Sequence, residues 1–310
     1  MTATRVPLTR RRFLAASLAT GAGLVVPVSA RADESAMIRR AIPRTGERIP
    51  VVGMGTWVTF NVGGSSVLRR QRAEILRVFF ARGGGMIDSS PMYRSSQEVV
   101  GWCLDRLGRP PGLISATKVW TPFGGSARDQ IAEARRLWGV DRFDVMQIHN
   151  LVDWERHLPV LIEEKQAGRI RYVGITTSHG LRHAEMERIM RDRPIDFVQF
   201  TYNILDREAE ARLLPLAAER GLGVIVNRPF RQKGLFRLFG DKPLPGWAGE
   251  FDCANWAQFF LKFIVSHPAV TCAIPATSRI DHMQENMGAL YGRLPSAELR
   301  RRMVRYVESL

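Results

Sequence analysis

From about residue 50 the chain alternates between two hydrophobic rhythms. Short apolar runs bounded by glycine, proline and polar residues predict strands at 51–57, 85–88, 113–119, 143–149, 171–176, 197–201, 223–227 and 270–274. Runs this short, with almost no polar interruption, suit parallel strands buried on both faces. Between them the apolar positions recur at helical spacing. The clearest helix is predicted over 97–107, where Val99, Val100, Cys103, Leu104 and Leu107 share one face. Ser95 and Glu98 have capping-box spacing ahead of it, and Gly108 ends it. Further helices are predicted over 127–137, 156–167, 183–191, 208–220 and 255–265. Strand–helix units in series, with polar residues at the strand ends, predict an α/β fold of the (β/α)8 TIM-barrel kind rather than a doubly wound sheet. A small hairpin is expected over 39–49, and 231–251, rich in glycine and proline, is expected to form a functional loop over the barrel mouth. The tail, 281–310, adds C-terminal helices outside the barrel.

The first 32 residues follow neither rhythm. Thr9-Arg10-Arg11-Arg12-Phe13-Leu14 has the form of a twin-arginine signal, and an apolar run follows from Phe13 to Val28. Ser17, Thr20, Gly21, Gly23 and Pro27 interrupt that run, which falls short of the ~20 apolar residues a membrane span needs. Cleavage after Ala30 or after Ala32 fits the small-x-small rule. The expectation is a signal peptide over 1–32, the twin-arginine export machinery as a partner, a periplasmic or otherwise exported product, and no stable membrane span after cleavage. The barrel then occupies 33–310.

This reading changes the charge. The segment carries Arg5, Arg10, Arg11, Arg12 and Arg31 and no acid, so the excess of +15 over the whole chain becomes +10 without it. A nucleic-acid binder concentrates such an excess in a stripe with aromatic residues interleaved. Here the arginines are scattered over the predicted helices, which reads as solvated surface and no nucleic-acid partner. The three cysteines, Cys103, Cys253 and Cys272, have no metal-ligand spacing, and an odd number argues against a disulfide framework. No metal is expected.

The candidate chemistry stands at the ends of three successive strands. Asp88 closes the second, with Tyr93 on the loop after it; Lys118 closes the third and His149 the fourth. In a barrel these ends are neighbours on the face where such enzymes hold their active sites. A free phenol has a pKa of about 10 and is a poor acid at neutral pH. A nearby ammonium stabilises its phenolate, a carboxylate holds the ammonium, and a histidine can orient a carbonyl oxygen. Such a site protonates a carbonyl oxygen as hydride reaches the carbon.

These four residues, in this order and context, resemble the tetrad of the aldo-keto reductase superfamily, and the similarity runs from about Ile42 to Asn286. The resemblance implies a (β/α)8 barrel using NADPH or NADH without a Rossmann fold. It implies Tyr93 as general acid, Lys118 as the partner that lowers its pKa, Asp88 as anchor of Lys118, and His149 as carbonyl orienter. Trp57 and Trp120 fall where the substrate pocket is lined, although rim packing explains Trp120 equally well. Gln199 matches the glutamine that holds the nicotinamide carboxamide.

Three stretches depart from the family pattern. At the fifth strand end Thr176 and Thr177 replace the usual serine and asparagine that grip the carboxamide. At the seventh, Asn227 stands where a tyrosine stacks on the nicotinamide, and Arg228 beside it suits a pyrophosphate or an acidic substrate. After the last strand, Glu285 and Asn286 are implied near the adenine, while Ala276 and His282 replace the family's basic residues. Arg279 is then the remaining candidate for a 2′-phosphate, so NADP(H) is favoured over NAD(H). The expected function is an exported oxidoreductase acting on a small-molecule carbonyl, as a monomer. The alternative is a nucleotide-binding sensor or partner subunit on the same barrel with little turnover.

Overall fold

The computed structural model describes residues 36–310; the predicted signal peptide lies outside the described residues. A hairpin of β1 (Arg39–Ala41) and β2 (Arg48–Pro50) comes first. Eight parallel strands follow in sequence order: β3 (Met54–Gly55), β4 (Met86–Asp88), β5 (Ile114–Val119), β6 (Phe143–Ile148), β7 (Ile170–Thr176), β8 (Phe197–Thr201), β9 (Gly223–Asn227) and β10 (Cys272–Ala273). The first and last meet: Val52 bridges Ala273, and Gly53 N donates to Ala273 O at 2.8 Å. Gly53 lets β3 lie close to β4, since a Cβ there would lie 2.7 Å from Met86 O. The result is a (β/α)8 TIM barrel.

The outer ring is α1 (Ser66–Ala81), α2 (Ser96–Arg106), α3 (Ala127–Trp138), α4 (Trp154–Gln166), α5 (His183–Asp192), α6 (Leu213–Glu219), α8 (Trp256–Val265) and α9 (Ile280–Gly288), with a short α7 (Gly234–Phe239) in the loop after β9. Of the predicted C-terminal helices, α9 thus follows the last strand, and α10 (Ala297–Glu308) is additional. The 231–251 stretch is largely structured. Phe236 packs edge-on to Phe260 and Phe239 tilts against Trp256, fixing α7 to α8, while Trp247 meets Tyr306 of α10.

Two local expectations are corrected. The helix predicted over 208–220 is broken into a 3-10 turn, Glu208–Glu210, and α6. Pro215 has no N–H to continue a helix from upstream, and Arg212, at φ −137°, lies outside helical geometry. The Ser95–Glu98 capping box does not form. Ser95 adopts helical φ and ψ, and its hydroxyl accepts from Gly63 N at 2.9 Å and lies 2.9 Å from Asn61 Oδ1. Glu98 pairs instead with Arg69 of α1, so both residues tie α2 to its neighbour.

Strand alternation sorts the residues of the barrel. Val119, Met146, Ile148, Val173, Ile175, Val198 and Phe200 point outward into the core under the helices. Met86, Ala116, Val145, Phe197, Ile225 and Cys272 point inward and pack with Ile42 and Ile49 of the hairpin, which plugs the N-terminal end. One turn of the pleat higher, the inward residues change character: Asp88, Lys118, Gln147 and Gln199 are all buried there. Cys103, Cys253 and Cys272 are buried free thiols.

Candidate active site

Asp88 is the hub of the polar layer. Its Oδ2 accepts from Lys118 Nζ at 2.5 Å, and its Oδ1 from Gln199 Nε2 at 3.0 Å and Gln147 Nε2 at 3.2 Å. Lys118 also donates to Ser89 O at 2.8 Å. Both charges are almost wholly removed from solvent, so each needs these partners. Burial pulls the Lys118 pKa down, and Asp88 opposes that.

Tyr93 ends the 3-10 turn Pro91–Tyr93, which begins at Ser90: the Ser90 hydroxyl accepts from Met92 N at 3.1 Å, and Ser90 O accepts from Tyr93 N at 3.0 Å. The turn brings the Tyr93 ring over the interior, 5.5 Å from Lys118 Nζ and edge-on to His149 with centroids 5.6 Å apart. Asp88, Tyr93, Lys118 and His149 are therefore together at the barrel mouth. The Tyr93 pKa is raised, first by burial and then by the charge of Asp88. Lys118 Nζ lies 5.5 Å from the ring centroid, on the side of the Asp88 carboxylate that it pairs with. The phenol is thus held protonated, as an acid must be. His149 is buried, and burial first and the Lys118 charge second hold its pKa well below that of free histidine, so it is neutral.

The other predicted residues divide by strand alternation. Thr176 faces inward and its hydroxyl lies 3.2 Å from Gln199 Oε1. Thr177 faces outward, its hydroxyl 3.9 Å from Met186 Sδ on α5, so its side chain is not at the mouth and only its carbonyl bonds inward, to Asn227 Nδ2 at 2.8 Å. Asn227 also bonds Thr201 Oγ1 at 2.8 Å. Gln199, read from sequence as a carboxamide holder, gives its amide nitrogen to Asp88 and belongs to the carboxylate's network. Arg228, in left-handed backbone at φ 51°, carries a buried Nε without a hydrogen-bond partner. Arg279 is exposed and forked onto Asp281. Asn286 is buried on α9, and Glu285 is half-buried beside it.

The aldo/keto reductase family pattern matches residues 51–302, a range that contains all eight barrel strands. The chain belongs to the aldo/keto reductase family. Methylglyoxal reductase YeaE of Escherichia coli is 28% identical over 260 residues, covering 81% of this chain and 89% of that one. The NADH-specific methylglyoxal reductase of the same organism is 27% identical over 234 residues, 64% of this chain and 68% of that one. An aldo-keto reductase from Klebsiella pneumoniae in complex with NADPH superposes with a TM-score of 0.73 at 24% identity, over 87% of this chain and 96% of that one. This reductase is an NAD(P)-dependent oxidoreductase.

Two groups of the reductase's mouth were not singled out by sequence. Gln147 donates to Asp88 from two residues before His149, and the period of two along β6 was the signal that places it inward. Ser90 lies 2.7 Å from His149 Nδ1, a contact between distant segments that no local pattern announces. On the predicted pocket side, Trp57 is half-exposed after β3, and the Trp120 backbone is held by two hydrogen bonds with Gln130 of α3, which donates to its carbonyl at 2.6 Å and accepts from its N–H at 2.8 Å. Among the described residues no group of three or more His, Cys, Asp or Glu side chains is arranged to hold a metal ion. Among them, too, no helix is long and apolar enough to cross a membrane.

Proposed function

We propose that this reductase converts a small aldehyde or ketone to its alcohol, or runs the reverse, with NADP(H) preferred over NAD(H). The observation that carries the reading is the meeting of Tyr93, His149 and the Asp88–Lys118 pair at the ends of three adjacent strands. A bound reduced nicotinamide supplies the hydride. The protein's residues do the rest. Neutral His149 donates a ring N–H to the carbonyl oxygen and fixes its position. The Tyr93 O–H bond breaks, its proton passes to that oxygen, and the phenolate left behind faces the Lys118 ammonium. Asp88, with Gln147 and Gln199, keeps Lys118 charged where burial alone would neutralise it.

The rim after β9 fits a nucleotide phosphate. Arg228 has an unpartnered Nε, and burial lowers its pKa, with Asp206 opposing this and Arg231 adding to it. An anion there would pair the free Nε and add to the pull of Asp206 on the buried guanidinium. Thr176, Asn227 and the α9 residues Glu285 and Asn286 are the remaining groups proposed to hold the nucleotide. The names of the two E. coli relatives make methylglyoxal the first carbonyl to assay.

Tyr93→Phe tests the reading. Carbonyl turnover is expected to fall by roughly 10²- to 10⁴-fold while nucleotide binding, followed by fluorescence titration, is unchanged. Turnover that survives the substitution removes Tyr93 as the acid. Binding without any Tyr93-dependent turnover favours a sensor role.

We also propose export by the twin-arginine route, on the strength of the Thr9–Leu14 motif and the apolar run behind it. Because that route carries folded proteins, the nucleotide would be loaded in the cytoplasm. Replacing Arg10 and Arg11 by lysine is expected to leave uncleaved precursor in the cytoplasm; unchanged export of that variant rules out the route.

A further inference from the structure

The carbonyl-orienting role of His149 requires a hydrogen on the ring nitrogen that meets the substrate, and a neutral imidazole carries only one. Nothing intrinsic to the ring decides which nitrogen has it; the partner of the other nitrogen does. In this reductase the partner is Ser90, whose Oγ lies 2.7 Å from Nδ1. Ser90 is fully buried and its hydroxyl has one other contact, Met92 N at 3.1 Å. A backbone N–H can only donate, so that contact uses a lone pair on Oγ and leaves the hydroxyl hydrogen free. The one acceptor in reach of that hydrogen among the described residues is Nδ1. If Nδ1 carried the ring hydrogen instead, the Ser90 hydroxyl hydrogen would be buried without an acceptor, an arrangement folded proteins avoid.

We propose that Ser90 is a positioning residue that locks His149 in the Nε2–H tautomer, so that Nε2 presents a donor to the carbonyl oxygen. Ser90 also sets where the acid stands. Its carbonyl accepts from Tyr93 N at 3.0 Å, and its side chain caps the turn that ends at Tyr93. One buried residue thus fixes the orienter through its hydroxyl and the acid through its backbone. The edge-on contact of the two rings, at an interplanar angle of 85°, is the geometry that results. Lys118 and Tyr93 also face the imidazole, and neither hydrogen-bonds Nδ1.

The inference rests on the reductase reading for the role of Nε2–H, but the tautomer can be observed without turnover. In the full-length protein labelled with 15N-histidine, long-range proton–nitrogen correlation spectra are expected to show His149 as the Nε2–H form. Ser90→Ala is expected to lose that form as the single species and to lower kcat by up to roughly a hundredfold. Ser90→Ala should leave the Kd for NADPH unchanged, and Ser90→Thr, which keeps the hydroxyl, should restore both tautomer and turnover. A wild-type spectrum with the hydrogen on Nδ1 overturns the proposal, and this reading does not depend on any variant folding. A Ser90→Ala protein with unchanged tautomer and kcat overturns it equally. If the wild type shows the Nε2–H form yet reduces no carbonyl, the device stands and the reductase reading falls.

Discussion

The two sides of the barrel mouth are built on different principles. On the side of β4, β5 and β6, Asp88, Lys118, Gln147 and His149 are buried, and the Asp88–Lys118 pair at its centre is closed off from solvent. On the side of β9 and α9, Arg228 is half-buried with a polar atom unpartnered, and Arg279 forms an ion pair in open solvent. A closed network fixes its members in one geometry, which suits groups that must meet reacting atoms. An open rim leaves charge free to meet a ligand. The first side is complete in itself, and the second is the side on which the nucleotide's phosphates are proposed to bind.

The sharpest test of that contrast is to break one ion pair on each side. Lys118→Met leaves the Asp88 carboxylate buried without its cation and should cost about 3–5 kcal/mol of stability in urea unfolding, with turnover abolished. Arg279→Met removes an exposed partner and should leave the urea midpoint close to that of the wild type. Equal losses at the two positions would show that the Asp88 site is more hydrated than its burial implies.

The contrast also explains what was legible in the sequence. Asp88, Lys118 and His149 sit at the ends of apolar runs, where a period of two and a parallel sheet dictate that neighbouring strand ends converge. The same rule carries Gln147 and sends Thr177 outward, and applying it residue by residue would have found both. Ser90 was beyond reach, because its partner is 59 residues away and the contact depends on a one-turn helix. The capping box failed for a related reason: Ser95 and Glu98 had local spacing, but Asn61, Gly63 and Arg69 on the preceding loop and helix compete for them. The direction of the Tyr93 shift was likewise hidden, since sequence shows that a lysine is near and not how deeply the fold buries the phenol beside Asp88.

Arg228 gives the next test. Arg228→Met should weaken nucleotide binding about tenfold, the worth of one charge-assisted contact, with a much smaller effect on kcat at saturation. It should not lower stability, because the side chain gives up a desolvated, incompletely bonded guanidinium. A loss of stability without a change in Kd would move Arg228 from the ligand rim to the structural frame.

The histidines predict a gentler effect of pH. His149 is held neutral in the fold, and burial, with Arg300 adding to it, lowers the His267 pKa to about 4. Unfolded histidine titrates near 6.5, so below that pH the unfolded chain binds protons that the fold refuses. Stability contributed by these groups is present above about pH 6.5 and is lost as pH falls toward 4. Urea midpoints should decline across that window, and His267→Gln should flatten the decline. An unaltered slope would place the acid sensitivity in the carboxylates.

The smallest effect expected lies at Asp281. Its carboxylate takes the Arg279 fork, with Nε donating to Oδ1 at 3.0 Å, and both side chains are exposed. A 2′-phosphate reaching Arg279 must therefore displace a carboxylate and approach a negative charge, a penalty that NADH does not meet. Asp281→Asn removes that charge and leaves Arg279 in place. Since an exposed ion pair contributes little, the ratio of NADPH to NADH affinity should rise by a factor of about two to five, and more at low salt than at high. A ratio that does not move would mean that Arg279 takes no part in reading the 2′-phosphate, and the choice between the two nucleotides would then rest on the rim around Arg228.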